Sequence, residues 1–300
     1  MSESSRYVYL EPSRIARLGN MSLVARQVVE GFISGLHRSP HRGFSVEFAE
    51  HREYSPGDSL RHLDWQALGR TDRLFIKQYE EETNLRAHLL LDCSASMGYG
   101  TAGVTKFQYG CFLCACLSYL MLRQQDSVGL VAFDEDIRHT IPPGSTTAHF
   151  NILMRTLEGL QPGRTTNVAE QFHRLAERIR RRALLIVISD LFDDEQKVLQ
   201  ALGHFRHKKH EVILFHLFDP QERRLGFDRL LDFEDMETGD RLQVDARQVR
   251  NEYTRLVEEF IAFYTRAASE RRIDYLVTQT DTPYDRVLAE FLGRRMVVPR

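Results

Sequence analysis

The sequence predicts an α/β protein: a doubly wound, mostly parallel sheet behind a small N-terminal helix-plus-β unit. Three observations predict it. From residue 86 onward, short apolar runs alternate with helix-length amphipathic segments, as in strands joined by crossover helices. Runs such as LLL at 89–91 and LLIVI at 184–188 are apolar at every position, which suits strands covered on both faces. The 300 residues, 42% hydrophobic and 27% charged, suffice for one sizeable core with an appendage and argue against long disorder.

The first 20 residues have weak periodicity. Val24, Ala25, Val28, Val29, Phe32, Ile33 and Leu36 then recur at helical spacing, and that helix ends before Pro40. In 43–50, Phe44, Val46 and Phe48 alternate as in a strand. A turn-rich stretch follows, with Pro56-Gly57-Asp58 as its turn signal, and 74–79 alternates again. The pattern changes near residue 85, so the expected units are 1–85 and 86–300.

In the second unit the expected strands are 87–91, 127–133, an antiparallel edge strand at 137–141, then 184–188, 212–217 and 275–277. The expected helices are 106–123, 148–157, 168–179, 195–205, 249–268 and one led by Pro283. A turn-rich loop, GLQPGRTTN, precedes the helix at 168, and 231–244 reads as a hairpin around Thr238-Gly239-Asp240. No internal repeat or low-complexity linker is visible.

Composition narrows the function classes. A net charge of −2 provides no global basic field for nucleic acid. Cys111, Cys114 and Cys116 crowd one apolar helix and cannot form a spread disulfide framework. The first residues lack the basic and apolar regions of a signal peptide. The longest apolar run, 111–122, is shorter than the roughly 20 residues a membrane span needs. The expected location is the cytoplasm.

The candidate site starts where the first strand of the sheet stops. Asp92, Ser94 and Ser96 follow the apolar run at every second position, and such side chains in an extended segment point the same way. Three hard oxygen ligands suit Mg²⁺. The strand at 184–188 also ends in Ser189-Asp190. In doubly wound sheets ligands bind beyond the carboxyl ends of strands at the topological switch point. If these two strands are neighbours there, Asp92 and Asp190 meet. The loop before the helix at 168 brings Thr165 and Thr166 to the same end of the sheet. The expected shell is Asp92, Ser94, Ser96, Thr166 and Asp190, with Thr165 as the alternative to Thr166. With hydroxyls bound directly and carboxylates acting through water, the ion keeps much of its positive charge and draws an external Glu or Asp.

DCSAS at 92–96, Thr166-Asn167 and Ser189-Asp190 resemble the metal-ion-dependent adhesion site of von Willebrand factor A domains. REYSPGDSLRHLDW (52–65), LFIKQYEEE (74–82), DSVGLVAF (126–133) and DFEDMETG (232–239) look like the bacterial domain of unknown function 58 family. The resemblance runs from about residue 43 onward. It implies a von Willebrand A-like, Rossmann-type domain, Mg²⁺ (or Mn²⁺) as the ion, Thr166 rather than Thr165 as the ligand, and a MoxR-type AAA ATPase as partner in a chaperone-like role. Many family members are membrane-anchored; this sequence resembles the shorter soluble forms.

Plainer readings stand beside each signal. Asp92, Ser94 and Ser96 also suit a polar strand-to-helix turn. Thr165, Thr166, or Asn167 with Glu170 could cap the next helix, and Asp193 is the expected cap of the one after it. Arg52, Tyr54, Asp58, Arg61, Asp64 and Trp65 read as a structural network ahead of a partner surface. His204, His207 and His210 have ligand-like spacing, but no zinc pattern completes them; a solvated basic helix end fits better. Cys111, Cys114 and Cys116 read as core filler, while Cys93 could be exposed in the metal loop. There is no Walker A loop, no G-x-G-x-x-G and no G-x-S-x-G elbow. The expected function is thus a non-enzymatic, metal-dependent binding adaptor. A Mg²⁺-dependent phosphohydrolase on the same strand ends is the alternative, and a metal-free scaffold the third reading.

Overall fold

The computed structural model describes residues 11–17, 20–37, 51–53, 75–77, 85–163, 167–236 and 239–297. The chain forms two compact units, one of residues 1–31 with 85–300 and one of 32–84. In the smaller unit, β1 (His51–Glu53) and β2 (Phe75–Lys77) pair antiparallel, with Arg52 opposite Ile76. The strand expected at 43–50 and the 54–65 segment with Tyr54, Asp58, Arg61, Asp64 and Trp65 lie outside the described residues.

The larger unit holds a six-stranded sheet in the order β10-β7-β6-β3-β4-β5. Its strands are β3 (Arg86–Asp92), β4 (Ser127–Phe133), β5 (Ile137–Gly144), β6 (Leu184–Ser189), β7 (Glu211–Phe218) and β10 (Asp274–Gln279). Five are parallel, and β5 runs antiparallel to β4 at one edge. A separate ribbon pairs β8 (Leu230–Glu234) with β9 (Arg241–Asp245). The fold is the doubly wound, mostly parallel one expected. The edge strand runs past Ile141 through Pro142 and Pro143, which only an edge position tolerates well.

The helices are α1 (Pro12–Ile15), α2 (Met21–His37), α3 (Lys106–Arg123), α4 (Thr147–Gly159), α5 (Val168–Arg178), α6 (Glu195–His207), α7 (Pro220–Arg224), α8 (Ala246–Glu270) and α9 (Tyr284–Val297). Alternate residues of each central strand supply the two faces. Leu90, Leu185, Val187, Val212 and Leu214 pack with Phe172 and Leu175 of α5, Leu202 and Phe205 of α6, and Ile261 and Tyr264 of α8. On the other face, Leu91, Ile188 and Leu217 approach Gly110 of α3, and Phe215 meets Phe291 of α9. Helix α3 is buried almost all round, Cys111, Cys114 and Cys116 included, which is why its apolar residues show no single stripe.

The chain leaves β3 for β4 on one side and returns to β6 on the other. The switch point therefore lies between β3 and β6. Their register pairs Leu91 with Ile188, so Asp92 and Ser189-Asp190 end side by side.

Candidate functional site

The backbone past β3 folds back at once. Asp92 is fully buried, and its Oδ1 accepts the backbone N–H of Ser94 at 2.9 Å, a local turn typical of aspartate. The 3-10 turn Ser96–Gly98 follows. It leaves the Ser94 and Ser96 hydroxyls hydrogen-bonded to one another at 3.0 Å, with either able to donate. Two cis ligands on an octahedral Mg²⁺ at its usual bond length are about 2.9 Å apart, so this pair fits the edge of such a shell. From β6, the Ser189 hydroxyl donates to Asp92 Oδ2 at 2.6 Å and accepts the Leu191 N–H at 2.9 Å.

Asp190 is buried beside this group. Burial raises the Asp92 carboxyl to about 7, and the charge of Asp190 adds to the rise; hydrogen bonds from Ser189 and Ser94 oppose it. Two acids that repel one another in a dry site mark a place where positive charge is stabilised. The turn after Asp190 puts Leu191 at φ +55°, a left-handed conformation that costs on the order of 1 kcal/mol for a branched side chain. It is held there because Leu191 itself is fully buried in the core.

Of the five expected residues, Asp92, Ser94, Ser96 and Asp190 gather at this strand end. Thr166, with the alternative Thr165, lies outside the described residues. The chain on either side of them is placed. Gly163 N–H donates to the Cys93 carbonyl at 2.5 Å, so the loop is pinned to the site turn three residues before Thr166. Asn167 caps α5 by accepting the Glu170 N–H. Among the described residues no three His, Cys, Asp or Glu side chains converge as a metal cluster. The donors on hand are carboxylates and hydroxyls, a set that suits Mg²⁺ or Mn²⁺ rather than zinc.

Lys106 is the site residue that the sequence pattern hid. It opens α3, is fully buried, and its Nζ donates to Asp190 Oδ2 at 2.7 Å and to Glu222 Oε1 at 2.5 Å. Burial alone would lower its pKa, but the charges of Asp190 and Glu222 outweigh that and raise it. Burial raises the Glu222 carboxyl, with Lys106 opposing. A signal was present: a lysine in the first turn of a helix opposes the helix dipole, so an anion must stand near it. Glu222 was less legible, because its five-residue helix α7 has no periodicity to read. Behind the site, His216 bridges the Tyr275 hydroxyl (2.7 Å) and the Asp190 carbonyl (2.9 Å).

Three expectations change. Cys93 is buried rather than exposed, and burial pushes its thiol pKa far up, so it is not a reactive group. The cap of α6 is Asp194, which accepts the N–H groups of Gln196 and Lys197, while Asp193 reaches back to Ala169 N–H of α5. His210 does not belong to a solvated helix end; it is buried between Ala183 N–H and the Ile179 carbonyl. Among the described residues no helix is long and apolar enough to cross a membrane.

Comparison with known proteins gives relatives for this chain. It is 26% identical over 220 residues to the uncharacterized protein Rv1480 of Mycobacterium tuberculosis, covering 72% of this chain and 68% of that one. Among solved structures it is similar to BatB from Bacteroides thetaiotaomicron, with 14% identity, 71% of this chain and 100% of that chain covered, and a TM-score of 0.48. It is also similar to the SpRpn10 VWA domain, with 11% identity, 69% and 94% covered, and a TM-score of 0.39. The family model described as protein of unknown function DUF58 matches residues 50–260. With well over half of its length matched, and with the alternating strands and helices that its motifs implied, the chain belongs to the DUF58 family.

Proposed function

We propose that this chain is a metal-dependent protein-binding adaptor. Asp92, Ser94, Ser96, Thr166 and Asp190 would hold Mg²⁺ (or Mn²⁺), and a partner's Glu or Asp would complete the shell. The observation that carries this reading is the pair of serine hydroxyls 3.0 Å apart beside buried Asp92. Both Asp92 oxygens already accept a hydrogen bond, from Ser94 and Ser189, which suits a carboxylate acting through retained water. When bound, the ion supplies an open, electropositive coordination position. The chain's own groups orient its ligands and keep the surroundings dry. The family resemblance supports a MoxR-type AAA ATPase as partner.

Calorimetry with Mg²⁺ and Mn²⁺ on the wild type and Asp92→Ala tests the site. Binding by the wild type, lost in the variant, is expected; no binding by the wild type sinks the reading. A pulldown with and without EDTA tests the partner, and a partner retained equally under both conditions argues against metal-bridged contact. Metal-dependent phosphatase turnover that disappears in Asp92→Ala would replace the adaptor by an enzyme.

A further inference from the structure

At the strand-end site two acids, Asp190 and Glu222, hold one ammonium, that of Lys106. An ammonium has three donors. Lys106 spends one on Asp190 and one on Glu222, and the Phe192 ring covers it at 5.2 Å. An ordinary structural ion pair needs only one carboxylate. Here Lys106 has two, and they come from different elements: Asp190 follows β6, and Glu222 sits in α7. Glu222 is held independently, since its Oε2 accepts the Asp219 N–H at 2.9 Å in the capping box of α7. Lys106 can therefore release Asp190 and keep a partner.

We propose that Lys106 is a tethered cation that holds Asp190, competes with a divalent ion for it, and so sets the metal affinity of the strand-end site. The proposal rests on the metal-site reading and names the residue that tunes it. The physical reason is direct. A fully buried ammonium is poorly screened, and it contacts the carboxylate that the ion also uses. Each divalent ion that binds must work against a positive charge that the chain cannot remove. A loaded site that keeps Lys106 also stays more positive, which favours an anionic partner over a neutral one.

The test is calorimetric titration of Mg²⁺, and separately Mn²⁺, into the full chain as wild type, Lys106→Gln, Lys106→Met, Glu222→Gln and Asp92→Ala. Circular dichroism checks each fold, and the metal-induced rise in Tm gives a second readout. Both Lys106 variants are expected to bind at least tenfold tighter than wild type. Glu222→Gln is expected to bind at least threefold weaker, because Lys106 is then left with Asp190 alone. A wild type that binds, with Lys106 variants that bind equally or more weakly, overturns this proposal and leaves the metal site standing. Absence of binding in every variant overturns both. Where loss of Lys106 prevents folding, Glu222→Gln decides: unchanged or tighter binding overturns the proposal.

Discussion

Ser189 is not a candidate ligand, yet one hydroxyl there fixes two parts of the site. It donates to Asp92 and accepts from the N–H of Leu191, so it sets both the carboxylate and the strained turn. Ser189→Ala removes both bonds inside a dry site. A loss of about 2 kcal/mol in unfolding free energy by urea titration is expected, with weaker Mg²⁺ binding near neutral pH because Asp92 holds its proton more firmly. Gly163 works by absence. A Cβ there would lie 2.1 Å from Asp134 Oδ2 and 3.1 Å from the Cys93 carbonyl, so the Asp134 carboxylate would have to swing away and the loop before Thr166 would sit less closely on the site turn. Gly163→Ala should lower Mg²⁺ affinity more than tenfold in calorimetry; unchanged affinity would show that this loop does not serve the site. At this scale, Asp92, Ser94 and Ser96 were legible because an acid and two hydroxyls stand just past an apolar run, although a local turn, not the expected extended spacing, brings them together. Lys106 signalled only that some anion stands near it; which one could not be read, because its partners stand 84 and 116 positions away.

Helix α3 must lie close on β3, β6 and β7 to bring Lys106 over the strand ends. Gly110 permits that approach: a Cβ there would meet Leu91 at 3.0 Å, Ile188 at 3.3 Å and Leu217 at 3.6 Å. Gly110→Val overfills this contact and should cost on the order of 2 kcal/mol. It should also weaken Mg²⁺ binding by tilting α3; destabilisation with untouched affinity would separate the packing of α3 from the site. The strands were readable because their apolar runs have hard ends, and β4 and α3 fall on the expected residues. The edge strand β5 runs three residues past the expected end because its two prolines read locally as a stop, although an edge position tolerates them. Helix α7 was missed for its length, although it carries Glu222. The cap of α6 shifted from Asp193 to Asp194 because adjacent acids give the same local signal, and only tertiary contact with Ala169 N–H separates them.

At the scale of the whole molecule, the buried histidines among the described residues govern how stability follows pH. His88 lies within β3, and burial, with the nearby charges of His210 and Arg86, lowers its pKa to about 4. His216 is fully buried, and burial lowers its pKa to about 3; burial lowers His210 too. In the unfolded chain a histidine takes its proton near pH 6.5. Below that pH, unfolding therefore takes up protons that the folded chain refuses, and stability falls with falling pH. Asp92 works the other way. Raised to about 7 from an ordinary 3.8, it holds a proton that the unfolded chain has lost, so stability rises as pH falls from about 7 towards 4. Among the described residues, the lowered His88, His216 and His210 oppose the raised carboxyls of Asp92, Glu222 and Asp274, and the two strongly lowered histidines are expected to prevail. The metal-free protein should thus lose stability between about pH 6 and about pH 5. Mg²⁺ bound at the proposed site would keep Asp92 ionised and remove its opposing contribution, so saturating Mg²⁺ should steepen the loss. His88→Asn removes one of the contributions that acid works through and should make the metal-free loss shallower. Urea titrations at about pH 6 and about pH 5, with and without Mg²⁺, measure all three slopes. A metal-free protein that gains stability on acidification would mean that the raised carboxyls, not the histidines, govern the fold's response to acid.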